Sequence, residues 1–275
     1  MTRLRFLTAG ESHGPSLTGI LEGLPAGLRL DAATIERELA RRQRGFGAGG
    51  RMKIERDHAR ITAGVMAGVT TGGPVALSID NLDHAVWAQR NTPPMTIPRP
   101  GHADLTGAVK YGYRELRLSL ERASARETAM RVAVGAVCRA LLAEFGVAIG
   151  GYVTSIGTVS VPARETPRDP AVFVARFQQA ESSDVRCHDT DAAARMHEAI
   201  AAAIKARDTL GGVVEVAALH VPPGLGSHVH WDRRLTTRLA AAVMSIHAVK
   251  GVEIGDGFCE AARHGTAAHD ELHLE

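Results

Sequence analysis

Apolar and polar positions change period several times along the chain, and each change predicts an element. "RLRFLTAG" (3–10) and "SLTGILEGLP" (16–25) read as two strands on either side of a polar, glycine-rich turn. Asp31 then stands as N-cap to a helix with Ile35 and Leu39 on one face. Arg41, Arg42 and Arg44 close that helix before Gly45, the sign of charge that suits a C-terminus. After the loop "GFGAGG", the stretch 51–80 predicts two or three strands with glycine-marked turns. Residues 90–101 carry four prolines and exclude regular structure. The clearest helix is "SARETAMRVAVGAVCRALLAEFG", with Ser124 and Glu127 as a capping box, Val134, Val137, Leu141 and Phe145 at helical spacing, and Gly146 closing it. A second helix covers about 191–206 and a third "RLTTRLAAAVMSIHAVKG", with strand-forming "GGVVEVAALHV" between them. The expected fold class is α+β, one domain over 1–275, with helices sandwiched between or against antiparallel sheets. "TTGGPVALSI" (70–79) and "TLGGVVEVAA" (209–218) share a Thr, a glycine pair and an apolar strand. This suggests two related halves, with a chance Gly-Gly turn as the rival reading.

Composition narrows the class rather than the function. The 275 residues are 45% apolar and 23% charged, enough for a large core or two modest ones. A net charge of +2 argues neither for nor against a polyanion, so local arginine clusters matter more. Aromatics at 4% weaken a base-stacking nucleic-acid reading. Cys138, Cys187 and Cys259 lack ligand spacing and predict reduced thiols in a cytosol-like compartment. The pattern contains neither the apolar core of a secretion signal nor a run long enough to span a membrane.

Candidate chemistry concentrates in four places. In "GESHGPSLTG", Gly10, Gly14 and Gly19 surround Ser12 and His13, which suggests that a small anionic group approaches the backbone there; an incidental surface histidine is the plainer alternative. "RPGHAD" sets Arg99, His102 and Asp104 in one turn and reads as a proton donor beside an anion, as a solvated loop, or more weakly as a metal site. The predicted helix start at Ser124, flanked by Arg122 and Arg126, would attract phosphate or carboxylate, although capping alone explains Ser124 and Glu127. Arg41, Arg42, Arg44 and Arg51 surround the glycine loop as bidentate anion ligands or as a solvated helix end. A nucleophile elbow and a Walker A loop are absent, and no G-x-G-x-x-G follows a strand with an acid downstream; "GFGAGG" resembles such a loop only in its glycine content.

Six stretches, "GESHGPSLTGILEGLP", "RRQRGFGAGGRMKIE", "RPGHADLTGAVKYG", "ERASARETAMRVAVGAV", "DTLGGVVE" and "MSIHAVKGVEIGDGF", together resemble chorismate synthase, in the family's order and from residue 3 to about 271. The resemblance implies a β-α-β sandwich, a cytoplasmic homotetramer, and conversion of 5-enolpyruvylshikimate 3-phosphate to chorismate. It also implies reduced FMN, required without net redox change, with NADPH as a candidate reductant. A substrate with two carboxylates and a phosphate accounts for the arginines, since desolvating it demands fixed cations. By motif position the resemblance assigns substrate contacts to Arg42, Arg51, Arg99 and Arg126. It makes His13 the proton donor to the departing phosphate, His102 the donor to reduced flavin, and Ser12 part of a proton relay. FMN contacts fall on Arg122, Ala123, Ser124, His247 and Ala248.

The chain departs from the family pattern at Ala48, where an arginine is usual, and at His247, where an amide is common. The resemblance also implies a further C-terminal segment, with flavin contacts and an Arg-x-Asp motif, that these 275 residues do not include. Two other readings stay open on sequence: an inactive truncated homologue that only binds ligand or a full-length subunit, and a flavin- or NAD(P)H-dependent oxidoreductase.

Overall fold

The computed structural model describes residues 4–47, 55–162, 167 and 169–269. The chain divides into two compact units, one of 1–163 with 169–221 and a second of 164–168 with 222–275.

In the first unit, β1 (Arg5–Ala9), β2 (Ser16–Glu22), β7 (Val75–Asp80) and β4 (Ala59–Ala63) form an antiparallel sheet in the order β1-β2-β7-β4. Strict alternation on β2 and β7 turns Leu17, Leu21, Val75, Leu77 and Ile79 to one face. The register pairs Leu17 with Ile79, Gly19 with Leu77 and Leu21 with Val75, so the buried rows of the two strands coincide. Two helices cover this face. The first, α1 (Ala32–Gln43), is capped by the Asp31 carboxylate on the Ala33 N–H and buries Ile35 and Leu39. The other, α5 (Glu127–Ala143), buries Met130, Ala133, Val134 and Val137. A Cβ on Gly19 would come within 2.5 Å of the Met130 sulfur, so this glycine lets α5 lie directly on β2.

A small sheet of β3 (Ala26–Arg29), β6 (Val69–Thr71) and β5 (Val65–Met66) flanks the first. A further antiparallel sheet has the order β10-β8-β9, from Gly212–Leu219, Ala148–Ile156 and Val159–Ser160. Both α6 (Pro170–Ser182) and α7 (Thr190–Ala206) pack on β8, and α5 touches β8 as well as the first sheet. Helices between antiparallel sheets give the α+β sandwich expected. The two Gly-Gly stretches that look alike run into β7 and β10, on different sheets.

Shorter helices α2 (His84–Ala88), α3 (Asp104–Tyr111) and α4 (Arg117–Arg122) lie between β7 and α5. Around them the local expectations need correcting. The described part of the stretch after the glycine loop, 55–80, holds four strands, not two or three. No capping box forms at α5: the helix begins at Glu127, Ser124 Oγ accepts the Arg126 N–H at 3.3 Å, and the Glu127 carboxylate is taken by Thr8 and Arg131. Phe145 lies beyond the helix and is 70% exposed. In the second unit, α8 spans Leu235–Met244 and α9 Gly265–Ala268. His247 and Ala248 therefore follow the third predicted helix rather than lie on it, and Ala248 takes a left-handed φ of +66°.

Candidate active site

The turn between β1 and β2 is held from three directions. Gly10 has a φ of +111°, and a Cβ there would meet the Ser16 carbonyl at 2.5 Å, so its glycine serves the turn itself. Asn81, buried just past β7, donates its side-chain amide to the Glu11 carbonyl at 3.1 Å and the Gly14 carbonyl at 2.8 Å. The Ser12 N–H donates to the Glu121 carbonyl at 3.0 Å. These bonds fix His13 in the wall of an open cleft of about 270 Å³, which Gly14, His84, Trp87, Thr92, Arg117 and Glu121 also line. Gly10 and Gly19 are accounted for by the protein's own packing; of the glycines around His13, Gly14 is the one that faces the cleft.

His13 is oriented atom by atom. Its Nδ1 lies 2.8 Å from Glu121 Oε1 and its main-chain N–H donates to Glu121 Oε2 at 2.7 Å. The Trp87 ring lies against the imidazole at a centroid distance of 4.0 Å, and Trp87 Nε1–H donates to Asp83 at 2.8 Å. Asp83 Oδ2 is 4.0 Å from His13 Nε2. His84 Nδ1 reaches the His13 carbonyl at 2.8 Å. The arrangement suits proton transfer through a ring nitrogen of the imidazole, beside the Arg117 cation that also lines the cleft.

The arginines occupy two settings. Arg126 is 4% exposed: Nε donates to Asn81 Oδ1 at 2.8 Å, Nη1 to Asp57, and Nη2 lies 3.5 Å from Glu55. Arg42 reaches the other oxygen of Asp57 at 3.2 Å and the Thr128 hydroxyl at 3.0 Å. Two guanidiniums and two buried carboxylates thus form one cluster, tied through Asn81 to the His13 turn. Arg99 grips the fully buried Asp104 with Nε at 2.8 Å and Nη2 at 2.9 Å. Those hydrogen bonds, more than any other influence, hold the Asp104 carboxyl below the usual carboxylate range and keep Arg99 above its ordinary value; the Glu121 charge adds to the latter. His102 is exposed on the same turn, with Nδ1 2.9 Å from the Pro100 carbonyl, and does not line the His13 cleft.

Ser12, 3% exposed, meets Ser124 hydroxyl to hydroxyl at 3.0 Å, which joins the histidine turn to the 122–124 segment. Arg122 is exposed and donates Nη2 to the Thr8 carbonyl at 2.8 Å, and Ala123 ends α4. His247 and Ala248 belong to the second unit, and Arg51 and Ala48 lie outside the described residues. The sequence reading passed over Asn81, Asp83, Trp87, Arg117 and Glu121. Glu121 sits in "RLSLER", where polar residues alternate with leucines and nothing marks the Glu as having a distant partner. Among the described residues no cluster of His, Cys, Asp and Glu could hold a metal ion.

Comparisons with known proteins show what this scaffold serves. A family model described as chorismate synthase matches residues 4–275. The chorismate synthase of Symbiobacterium thermophilum is 53% identical over 285 residues, covering 98% of this chain and 71% of that protein. That of Aquifex aeolicus is 51% identical over 281 residues, covering 98% and 71%. A crystal structure of chorismate synthase matches all of this chain and 75% of its own with a TM-score of 0.86 at 46% identity. The α+β sandwich with its oriented imidazole is, in class, an enzyme: a lyase of aromatic amino-acid biosynthesis acting on a small molecule. Within that class, the chain belongs to the chorismate synthase family.

Proposed function

We propose that the chain eliminates phosphate from 5-enolpyruvylshikimate 3-phosphate to give chorismate, with His13 as the proton donor to the leaving oxygen. In this anti-1,4-elimination the ring C–O bond breaks with its electron pair going to phosphate, and a ring hydrogen on the far side of the diene departs as a proton. The observation that carries the reading is the His13 imidazole, held by Glu121 at the wall of a cleft that Arg117 also lines. A donor placed there stabilises the charge that develops on the phosphate oxygen as the bond lengthens. Identity near 50% over almost the whole chain favours the enzyme over a homologue that only binds ligand.

The arginines divide between the ligand and the scaffold in this reading. Arg42 and Arg99 stand at partly exposed positions from which a guanidinium can reach an anion, Arg51 remains a candidate from its motif, and Arg126 acts at the back of the site through Asn81 and Asp57. Reduced FMN fits the chain's donors. The Ser12–Ser124 hydroxyl pair and the exposed Arg122 guanidinium are the kinds of hydrogen-bond donor that flavin carbonyls and ring nitrogens need. Arg122, Ala123 and Ser124 would hold it; His247 and Ala248, in the second unit, remain candidates from their motif alone. When bound, the reduced flavin supplies a transient electron that eases C–O cleavage. His102 is the candidate proton donor toward that group and Ser12 the candidate relay. We read the protein as a cytoplasmic homotetramer; among the described residues no helix is long and apolar enough to cross a membrane.

The test is an anaerobic assay with photoreduced FMN and the phosphorylated substrate. Chorismate and phosphate in equal amounts are expected. Binding without product would favour the non-catalytic homologue, and oxidation of NADPH with no other reductant present would make the chain an oxidoreductase that reduces its own flavin.

A further inference from the structure

Glu121 makes more contacts with the histidine turn than packing requires. It sits in the last turn of α4, 108 residues along the chain from His13. Three separate bonds join the two: its carbonyl takes the Ser12 N–H at 3.0 Å, Oε2 the His13 N–H at 2.7 Å, and Oε1 lies 2.8 Å from His13 Nδ1. An ionised carboxylate only accepts, so the proton in the Nδ1 contact belongs to the imidazole. Asp83, the other carboxylate beside the ring, takes the Trp87 indole N–H at 2.8 Å and stays 4.0 Å from Nε2. His84 is directed at the His13 carbonyl rather than at the ring. The two carboxylates described beside the ring therefore meet its nitrogens differently: Glu121 is bonded to Nδ1, whereas Asp83 stays beyond hydrogen-bond distance of Nε2.

We propose that Glu121 is a positioning residue that fixes His13 with its Nδ1 protonated, so that Nε2 is the nitrogen that delivers the proton in the reaction. The inference rests on the reading of His13 as proton donor. The donating imidazolium has the Glu121 charge against it. Once Nε2 has given its proton to the phosphate oxygen, the ring remains as the neutral Nδ1–H tautomer with its bond to Glu121 intact. The same logic holds for any imidazole backed by a carboxylate, where loss of the carboxylate leaves the wrong nitrogen protonated. A Gln at 121 has one carbonyl oxygen for two donors, and its amide N–H₂ would face the other donor.

Nitrogen-15 NMR of the histidine-labelled chain, with His13 assigned by sequential triple-resonance spectra, reads the tautomer directly and needs neither variant nor cofactor. A protonated, pyrrole-type Nδ1 in the neutral ring is expected; a bare Nδ1 with the proton on Nε2 would overturn the proposal. Glu121→Gln is expected to give a mixture of tautomers, lowering kcat roughly tenfold or more while KM for substrate changes less than about twofold. In a His13→Ala background the second substitution should add almost nothing, because Glu121 acts through the ring. A further large loss in the double variant would give Glu121 a separate role and refute the inference. Wild-type turnover by Glu121→Gln alongside a slow His13→Ala would sink the Glu121 inference and leave the His13 reading standing. Wild-type turnover by His13→Ala would instead remove the reading itself.

Discussion

Arg126 illustrates how much one side chain in this protein can hold. Its guanidinium faces Asp57, Glu55 and Asn81 at 4% exposure, and Asn81 in turn holds both ends of the His13 turn. Removing the cation takes a counter-charge from buried Glu55 and Asp57, the latter keeping Arg42, and breaking a buried pair typically costs about 3–5 kcal/mol. Arg126→Met is therefore expected to lower stability in urea by that order, with the slope of the transition unchanged. Unchanged stability with a raised KM would instead make Arg126 a direct ligand of the substrate. Ser12 and His13 stood out in the sequence because glycines bracket them, and the arginines because they cluster at the glycine loop and beside Ser124. Their partners were not. Glu121, Asn81 and Asp57 come from segments far along the chain, and nothing in a lone Asn or Glu announces contacts across separations of 69, 70 and 108 residues. Gly19 was read as room for a ligand and turns out to be room for Met130, since a missing side chain looks the same whichever neighbour fills the space.

Elements with a single period were read well and mixed segments were not. The alternation on β2 and β7 and the Asp31 cap of α1 appear in the structure where the pattern put them. Of the missed helices, α6 carried the signals of an Asp169 cap followed by Pro170, whereas α2, α3 and α4, of 5, 8 and 6 residues, are too short to show a helical period. The second large sheet also has a consequence at this scale. Tyr152 on β8 is 1% exposed, donates its hydroxyl to Glu215 on β10, and accepts from Arg176 on α6 at 3.0 Å. Burial above all, with Glu215 assisting and Arg176 opposing, pushes the phenol up to about 12. The folded state thus keeps this proton after the unfolded chain has lost it. The resulting stabilisation is complete below the ordinary tyrosine value of about 10 and disappears as pH rises through about 12. Stability against urea is expected to fall over that interval, and to fall less steeply in Tyr152→Phe; identical slopes would detach Tyr152 from the alkaline transition.

For the molecule as a whole, the sandwich places the β1–β2 turn, α4 and the start of α5 side by side, and that convergence makes a cleft out of segments with no common sequence motif. The overall α+β class was legible because it depends only on the kinds of element present. The cleft was not, because it depends on which loops those elements bring together. The central claim is that His13 supplies the proton while the surrounding residues bind. The most direct measurement is a single-turnover reaction of His13→Ala under anaerobic conditions, with FMN and substrate binding measured on the same preparation. Binding close to that of the unaltered chain is expected, with phosphate release slowed on the order of 10²- to 10⁴-fold. Phosphate release at the unaltered rate would contradict the account.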